Sequence, residues 1–158
     1  MSRKRVPIFC CVVVAAVIAS AVWWKERSPF GSGPIDVAEL GKFDLDQANG
    51  VDADIPRPIR ELNGRRITLL GEMWQPMLKE GTDADVEAFD LGKLDHSSSW
   101  QSLRVQDFVL CRVPPERKIA YYPNAVQVTG TLQVGIQKDN GRIFTAFTMD
   151  VDSVQPTP

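Results

Sequence analysis

From Arg66 the chain alternates so that Ile67, Leu69, Gly71 and Met73 fall on one face of an extended strand and Arg66, Thr68, Glu72 and Trp74 on the other. Asn63-Gly64, a pair at ease with positive φ, precedes the run, so Leu62 to Pro76 reads as a turn feeding a long strand. A cleaner alternation covers Ala125 to Ile136, where Val126, Val128, Gly130, Leu132, Val134 and Ile136 are separated by Gln127, Thr129, Thr131 and Gln133. Asp139-Asn140-Gly141 then supplies a type I′ hairpin signal. Ile143, Thr145, Phe147, Met149 and Val151 line one face of the returning strand.

Between these stretches the pattern is shorter. Val86 to Leu91 predicts a strand with Phe89 and Leu91 on one face, and Phe108 to Val113 another, ended by Pro114-Pro115 because neither proline donates to a ladder. Lys118 to Tyr122 is expected to continue the sheet. Gly92 to Gln106 has no periodicity and reads as a long loop holding His96, Ser97-Ser98-Ser99 and Trp100. Upstream, Pro56 and Pro58 hold the chain extended before one helical turn that puts Ile59 and Leu62 on the same side, a plug over the mouth of the sheet. Gly71 and Gly130 sit mid-strand, where a missing side chain permits a sharp bend or a close backbone approach. Five or so such strands predict a mainly all-β chain, a small antiparallel β-barrel resembling the oligonucleotide/oligosaccharide-binding (OB) barrel. A plain antiparallel sandwich is the alternative.

The N-terminus changes the picture. Arg3-Lys4-Arg5 is followed by an uncharged run from Val6 to Trp24 and then by Lys25-Glu26-Arg27. At the helical rise this run reaches about 28 Å, close to the hydrocarbon thickness of a bilayer. It predicts one transmembrane helix, residues 6–24, with the basic N-terminus cytoplasmic, Trp23-Trp24 at the far interface and the domain outside. The other reading of the same run is a signal peptide cut after Ala19-Ser20-Ala21, which also exports the domain. The expected division is residues 1–27 as membrane anchor or signal segment, 28–54 as linker and lead-in, and 55–158 as the β domain. After Arg27 the chain carries 13 basic and 19 acidic residues, a net charge of −6 that argues against a phosphate-binding partner such as nucleic acid.

The motifs Ile55-Pro56, Leu62-x-Gly64-x-x-Ile67, Gly71-x-Met73-x-x-Pro76, Phe89-x-Leu91, Pro114-Pro115 and Val126-x-Val128-x-Gly130-x-Leu132 resemble a family of uncharacterised exported bacterial proteins, catalogued as a domain of unknown function. The likeness spans roughly Ile55 to Val154 and implies an exported setting, with no activity attached. Members carry adjacent cysteines before the paired prolines. Here Cys111 stands alone there, followed by Arg112-Val113, so a redox or metal role tied to such a pair has no counterpart.

Candidate chemistry is sparse. Cys10 and Cys11 lie in the apolar run, which leaves one Cys and His96 for the domain, too few ligands for a structural zinc. Asp44, Asp46, Asp52 and Asp54 recur through a polar stretch, but the spacing from Asp44 puts Asn49 and Ile55 where an EF-hand needs Gly and Glu, so a solvated loop is expected. There is no Walker loop, dinucleotide fingerprint, nucleophile elbow or His-Glu-x-x-His helix. The reading is a non-enzymatic, membrane-tethered binding or accessory module of the envelope, with no cofactor, no metal and no catalytic residue. Trp74, Trp100, Tyr121 and Tyr122 are its candidate contacts to an envelope protein or small ligand. The competing reading is a hydrolase or metal-dependent enzyme in which His96 converges with Asp90, Asp95 and Asp107.

Overall fold

The two long alternating stretches pair with each other, and the rest of the sheet is built outward from them. The computed structural model describes residues 30–31, 33–81, 85–94 and 104–157. Contacts divide the chain after Gly33, and the unit described below begins at Pro34. The basic cluster, the uncharged run of residues 6–24, Cys10, Cys11, Asp95, His96 and Trp100 lie outside the described residues.

The strands are β1 (Ile35–Asp36), β2 (Arg65–Leu78), β3 (Val86–Gly92), β4 (Phe108–Arg112), β5 (Ala125–Asp139) and β6 (Arg142–Pro156). One-turn helices α1 (Val37–Leu40) and α2 (Arg57–Arg60) flank a 3-10 turn at Asp52–Asp54. The unit is mainly β, with the six strands in the order β1-β2-β3-β4-β6-β5 and β2 also paired with β5. All pairings are antiparallel except β1 with β2 and β4 with β6.

β2 serves two neighbours in turn. Arg65 to Glu72 pair with β5 and Glu72 to Leu78 with β3, so Gly71 lies where the strand changes partner. A Cβ on Gly71 would stand 3.0 Å from Leu91 Cγ and against the Gly92 carbonyl, so the glycine there answers a close backbone approach. The strand runs two residues beyond Pro76, which sits in a register shift between Trp74 and Met77 next to Gln75 at φ 46°. The β5–β6 hairpin turns at Asn140 and Gly141, φ 49° and 80°, the two positive angles a type I′ turn requires.

Leu69, Met73, Phe89, Leu91, Val109, Cys111, Val126, Val128, Leu132, Phe147 and Met149 fill the core. Ile55, Ile59 and Leu62 are buried with them, so α2 does seat its apolar side. Folded structure also extends upstream of Ile55. Ile35 pairs with Leu69, Asp36 caps α1 through a 2.8 Å bond from the Ala38 N–H, and Ile35, Val37, Leu40 and Leu45 are buried. The aspartates expected in a solvated loop, Asp44, Asp46, Asp52 and Asp54, are all exposed, and three of them also hold backbone N–H groups: Asp46 accepts from Ala48 and Asn49, Asp54 from Val51, and Asp52 from Ile136 on β5 at 2.6 Å. Lys118 to Tyr122 contributes only an isolated bridge, Ala120 with Asp85, because the chain leaving Pro114-Pro115 turns at Arg117 and reaches β3 at its first residue alone.

Candidate functional site

Short strands reveal their two faces through register. On β4, Val109 and Cys111 are fully buried while Phe108 and Leu110 are half-buried and Arg112 is exposed, so the even-numbered residues leave the core. β3 pairs Asp90 with Leu110 and Gly92 with Phe108; β2 pairs Trp74 with Asp90; β6 pairs Thr148 with Leu110. One register row therefore crosses four strands on the face away from the core: Trp74, Asp90, Leu110, Thr148. Phe108 and Gly92 lie beside it in the next row.

Trp74 is held against this face. A Cβ built on Gly92 would overlap three consecutive carbons of the six-membered ring, Cε3, Cζ3 and Cη2, which puts the face of the indole over the glycine. Asp90 stands directly opposite Trp74, and side chains so placed have Cβ atoms about 4.5–5.5 Å apart. Burial alone moves its carboxyl, upward from the usual carboxylate range. No hydrogen bond reaches it among the described residues.

A second group of polar residues lies where the upstream segment meets the end of the long loop. A cleft of about 520 Å³ is lined by Asp44, Leu45, Asp46, Gln47, Asp54, Arg104 and Gln106. Its groups are taken up by one another. Arg104 donates to both oxygens of Asp107, at 2.9 and 3.3 Å, and to the carbonyls of Gly41 and Phe43. Burial pushes Asp107 up, but bonds from the Arg104 side chain and N–H outweigh it and hold the carboxyl below its usual range. Gln106, fully buried, donates to the Phe43 carbonyl and accepts from Gln47, whose own oxygen takes the Val105 N–H. This network is a clasp joining residues 41–47 to 104–107, and Phe43 adds an edge-on contact with Phe147, ring centroids 6.4 Å apart.

A solved structure shares this fold. The crystal structure of a DUF3299 family protein from Pseudomonas aeruginosa PAO1 is similar to 77% of this chain over 79% of its own, with a TM-score of 0.52 at 14% sequence identity. The neighbour's family is itself a domain of unknown function, in keeping with the kind of family the sequence resembles. At that identity the likeness is one of fold. No protein-family model matches the chain, and no curated protein matches it.

The sequence-predicted residues that are described, Trp74, Asp90, Asp107, Tyr121 and Tyr122, do not gather in one place. Tyr121, exposed, and half-buried Tyr122 follow the bridge at Asp85, which lies just before β3 and five residues from Asp90, about 16 Å of extended chain. Tyr122 borders a separate cleft of about 420 Å³ with Arg117, Lys118 and Asp152. Of the described aromatic candidates Trp74, Tyr121 and Tyr122, Trp74 is the one on the row described above. Asp90 and Asp107 also part company, since Asp90 belongs to the Leu110 face of the sheet and Asp107 is locked to Arg104 at the clasp. Cys111 is fully buried, and burial, with Asp90 adding to it, pushes its thiol well up, so it stays protonated and packs as a small hydrophobe. Among the described residues no group of three or more His, Cys, Asp and Glu is placed to hold a metal ion. Phe108 and Leu110 were missed as site residues. Their period-two parity against Val109 and Cys111 was the available signal.

Proposed function

We propose that the chain is a non-enzymatic binding module with an OB-like barrel, held outside the cytoplasm at the membrane by residues 6–24. Three observations support the barrel: the pairing path β2-β3-β4-β6-β5 returns to β2, its one parallel contact is between β4 and β6, and glycines stand at the tight points of β2 and β5. The binding reading is carried by the face at Trp74. An indole laid on a glycine, with Phe108 and Leu110 half-buried beside it, gives a rigid apolar surface that needs little ordering on binding. The acidic balance of the domain disfavours nucleic acid there. The uncharged N-terminal run supports the tether, with cleavage after Ala21 the other outcome.

The test is retention of envelope proteins and small molecules by the purified full chain, compared with Phe108→Ser. The reading expects a specific retained species that the variant loses while its circular dichroism stays unchanged. A retained set identical for both chains, or substrate turnover that depends on His96, would overturn it.

A further inference from the structure

β5 outlasts one of its neighbours. β2 pairs with Ala125 to Leu132 and no further, yet β5 runs on to Asp139 with β6 along its other side. Beyond Leu132 the strand therefore presents an edge, and such an edge is a template on which another strand can pair. Side chains of the upstream segment occupy it instead. The Gly64 N–H donates to the Leu132 carbonyl at 2.7 Å; past that point the Val134 N–H donates to Asn63 Oδ1 at 2.9 Å and the Ile136 N–H to Asp52 Oδ1 at 2.6 Å. These are alternate residues, the spacing at which the donors of one strand edge recur. Lys138, the next alternate residue, lies within electrostatic reach of Asp46.

Both oxygens are presented by turns. Asp52 opens the 3-10 turn, across which Asp54 accepts the Val51 N–H at 2.9 Å. Asn63 leaves α2 with its own N–H on the Arg60 carbonyl at 3.1 Å, and Ile55, Ile59 and Leu62, buried between the two positions, hold the segment down. The cap is one-sided. Among the described residues no N–H of residues 52–63 donates to β5, so the cap takes up donors of the edge and none of its carbonyls. A strand would engage both. A second copy of the chain carries the same edge, and two identical edges can pair antiparallel about a two-fold axis.

We propose that Asp52 and Asn63 cap the β5 edge against a second copy of the chain, and that removing their oxygens opens a self-pairing site at Gln133 to Lys138. This edge is separate from the Trp74 face, which crosses β2, β3, β4 and β6, so each reading stands or falls without the other.

The full chain in a non-ionic maltoside detergent would be compared with Asp52→Ala/Asn63→Ala and with Asp52→Asn/Asn63→Asp, which keeps an acceptor oxygen at both positions. Mass by light scattering, corrected for detergent, and hydrogen exchange at the Val134 and Ile136 amides are followed as concentration rises. Any association through residues 6–24 is common to every chain, so the comparison isolates the edge. In dilute solution the alanine variant is expected to exchange both amides faster than the wild-type chain. At high concentration it is expected to self-associate about tenfold more tightly, or better, with exchange slowing again, while the acceptor-keeping variant follows the wild type. Fast amides with unchanged association overturn the self-pairing site, unchanged exchange overturns the cap, and equal association of the two variants overturns the role of the oxygens. Where circular dichroism shows the alanine double variant unfolded, Asn63→Ala alone is read at Val134: faster exchange with tighter association supports the cap, and no change in either overturns it.

Discussion

Gly130→Ala sets a steric penalty against a backbone gain, and the structure gives enough to weigh them. Gly130 sits on the core face of β5, and β6 slips by one residue opposite it, since Thr129 pairs with Ser153 but Gly130 with Val151. The slip turns the Asp150 carbonyl toward the glycine. A Cβ there would collide with that oxygen, lie 3.1 Å from the carbonyl carbon and 2.9 Å from Met149 Cγ. The methionine can move, but the carbonyl cannot move freely, because Asp150 is in register with both Thr131 on β5 and Arg112 on β4. Overpacking costs about 1–3 kcal/mol, and disturbing one ladder bond adds about 1 kcal/mol. Alanine returns about 0.4–1 kcal/mol by restricting the unfolded chain. The balance is a destabilisation of about 1–3 kcal/mol, and more for valine. Gly135 on the same strand is the internal control, where a Cβ would stand 3.6 Å from Asp52 Oδ1 in ordinary contact, so Gly135→Ala is expected to be neutral or to gain a few tenths of a kcal/mol. Urea unfolding followed by circular dichroism separates them: at a slope of about 1–3 kcal/mol per molar, the Gly130 variant loses roughly 1 M in midpoint and the Gly135 variant does not. Equal midpoints at unchanged slope, or a gain for Gly130→Ala, would refute the close approach of β5 and β6.

Asp90→Asn should raise the melting temperature at neutral pH. Its carboxyl is raised in the fold, so the native state binds the proton more tightly, stability falls as pH rises from the unfolded toward the folded pKa, and the variant's advantage should vanish below the ordinary carboxylate range; an advantage independent of pH would contradict this. Arg104→Met should destabilise by about 1–3 kcal/mol, since it removes both side-chain bonds to Asp107 and leaves that carboxyl, 8% exposed against 43% for the arginine, with the backbone N–H of residue 104 alone. Because the Asp107 carboxyl is held low, that loss is present above the ordinary carboxylate pKa and fades as pH falls through the folded value, measurable as converging midpoints in acid. Single-stranded DNA should show no micromolar, salt-sensitive binding at physiological salt, which a fluorescence anisotropy titration checks. Protease added to intact spheroplasts should digest the domain, and full protection would refute export.

Strand pairs long enough to show many periods were legible in advance. Val126 to Ile136 and Ile143 to Val151 declare their faces through repeated alternation, and Asn140-Gly141 fixes their turn, so the hairpin follows from residues alone. Phe89 and Leu91 likewise mark the core side of β3. The upstream segment was harder, because its four-residue helices and two-residue strand are too short for periodicity, and the backbone N–H groups that its solvent-facing aspartates accept from leave no mark in a hydrophobic pattern. The site was legible only in part. Trp74 announced itself as an aromatic on the polar face of a strand. Asp90 acquires meaning from its register with Trp74 and Leu110, and Gly92 from the ring above it; such pairings join residues 16 or more apart in sequence, which no local pattern encodes.

The most direct test of the binding face is photo-crosslinking in living cells, with p-benzoylphenylalanine placed at Leu110 on the Trp74 face and, as the control, at Lys138 on the exposed β5–β6 hairpin. The account predicts a discrete adduct from position 110 that is absent at 138 and is lost when Trp74→Ala is added. Equal adducts from both positions, or an adduct at 110 indifferent to Trp74, would contradict it.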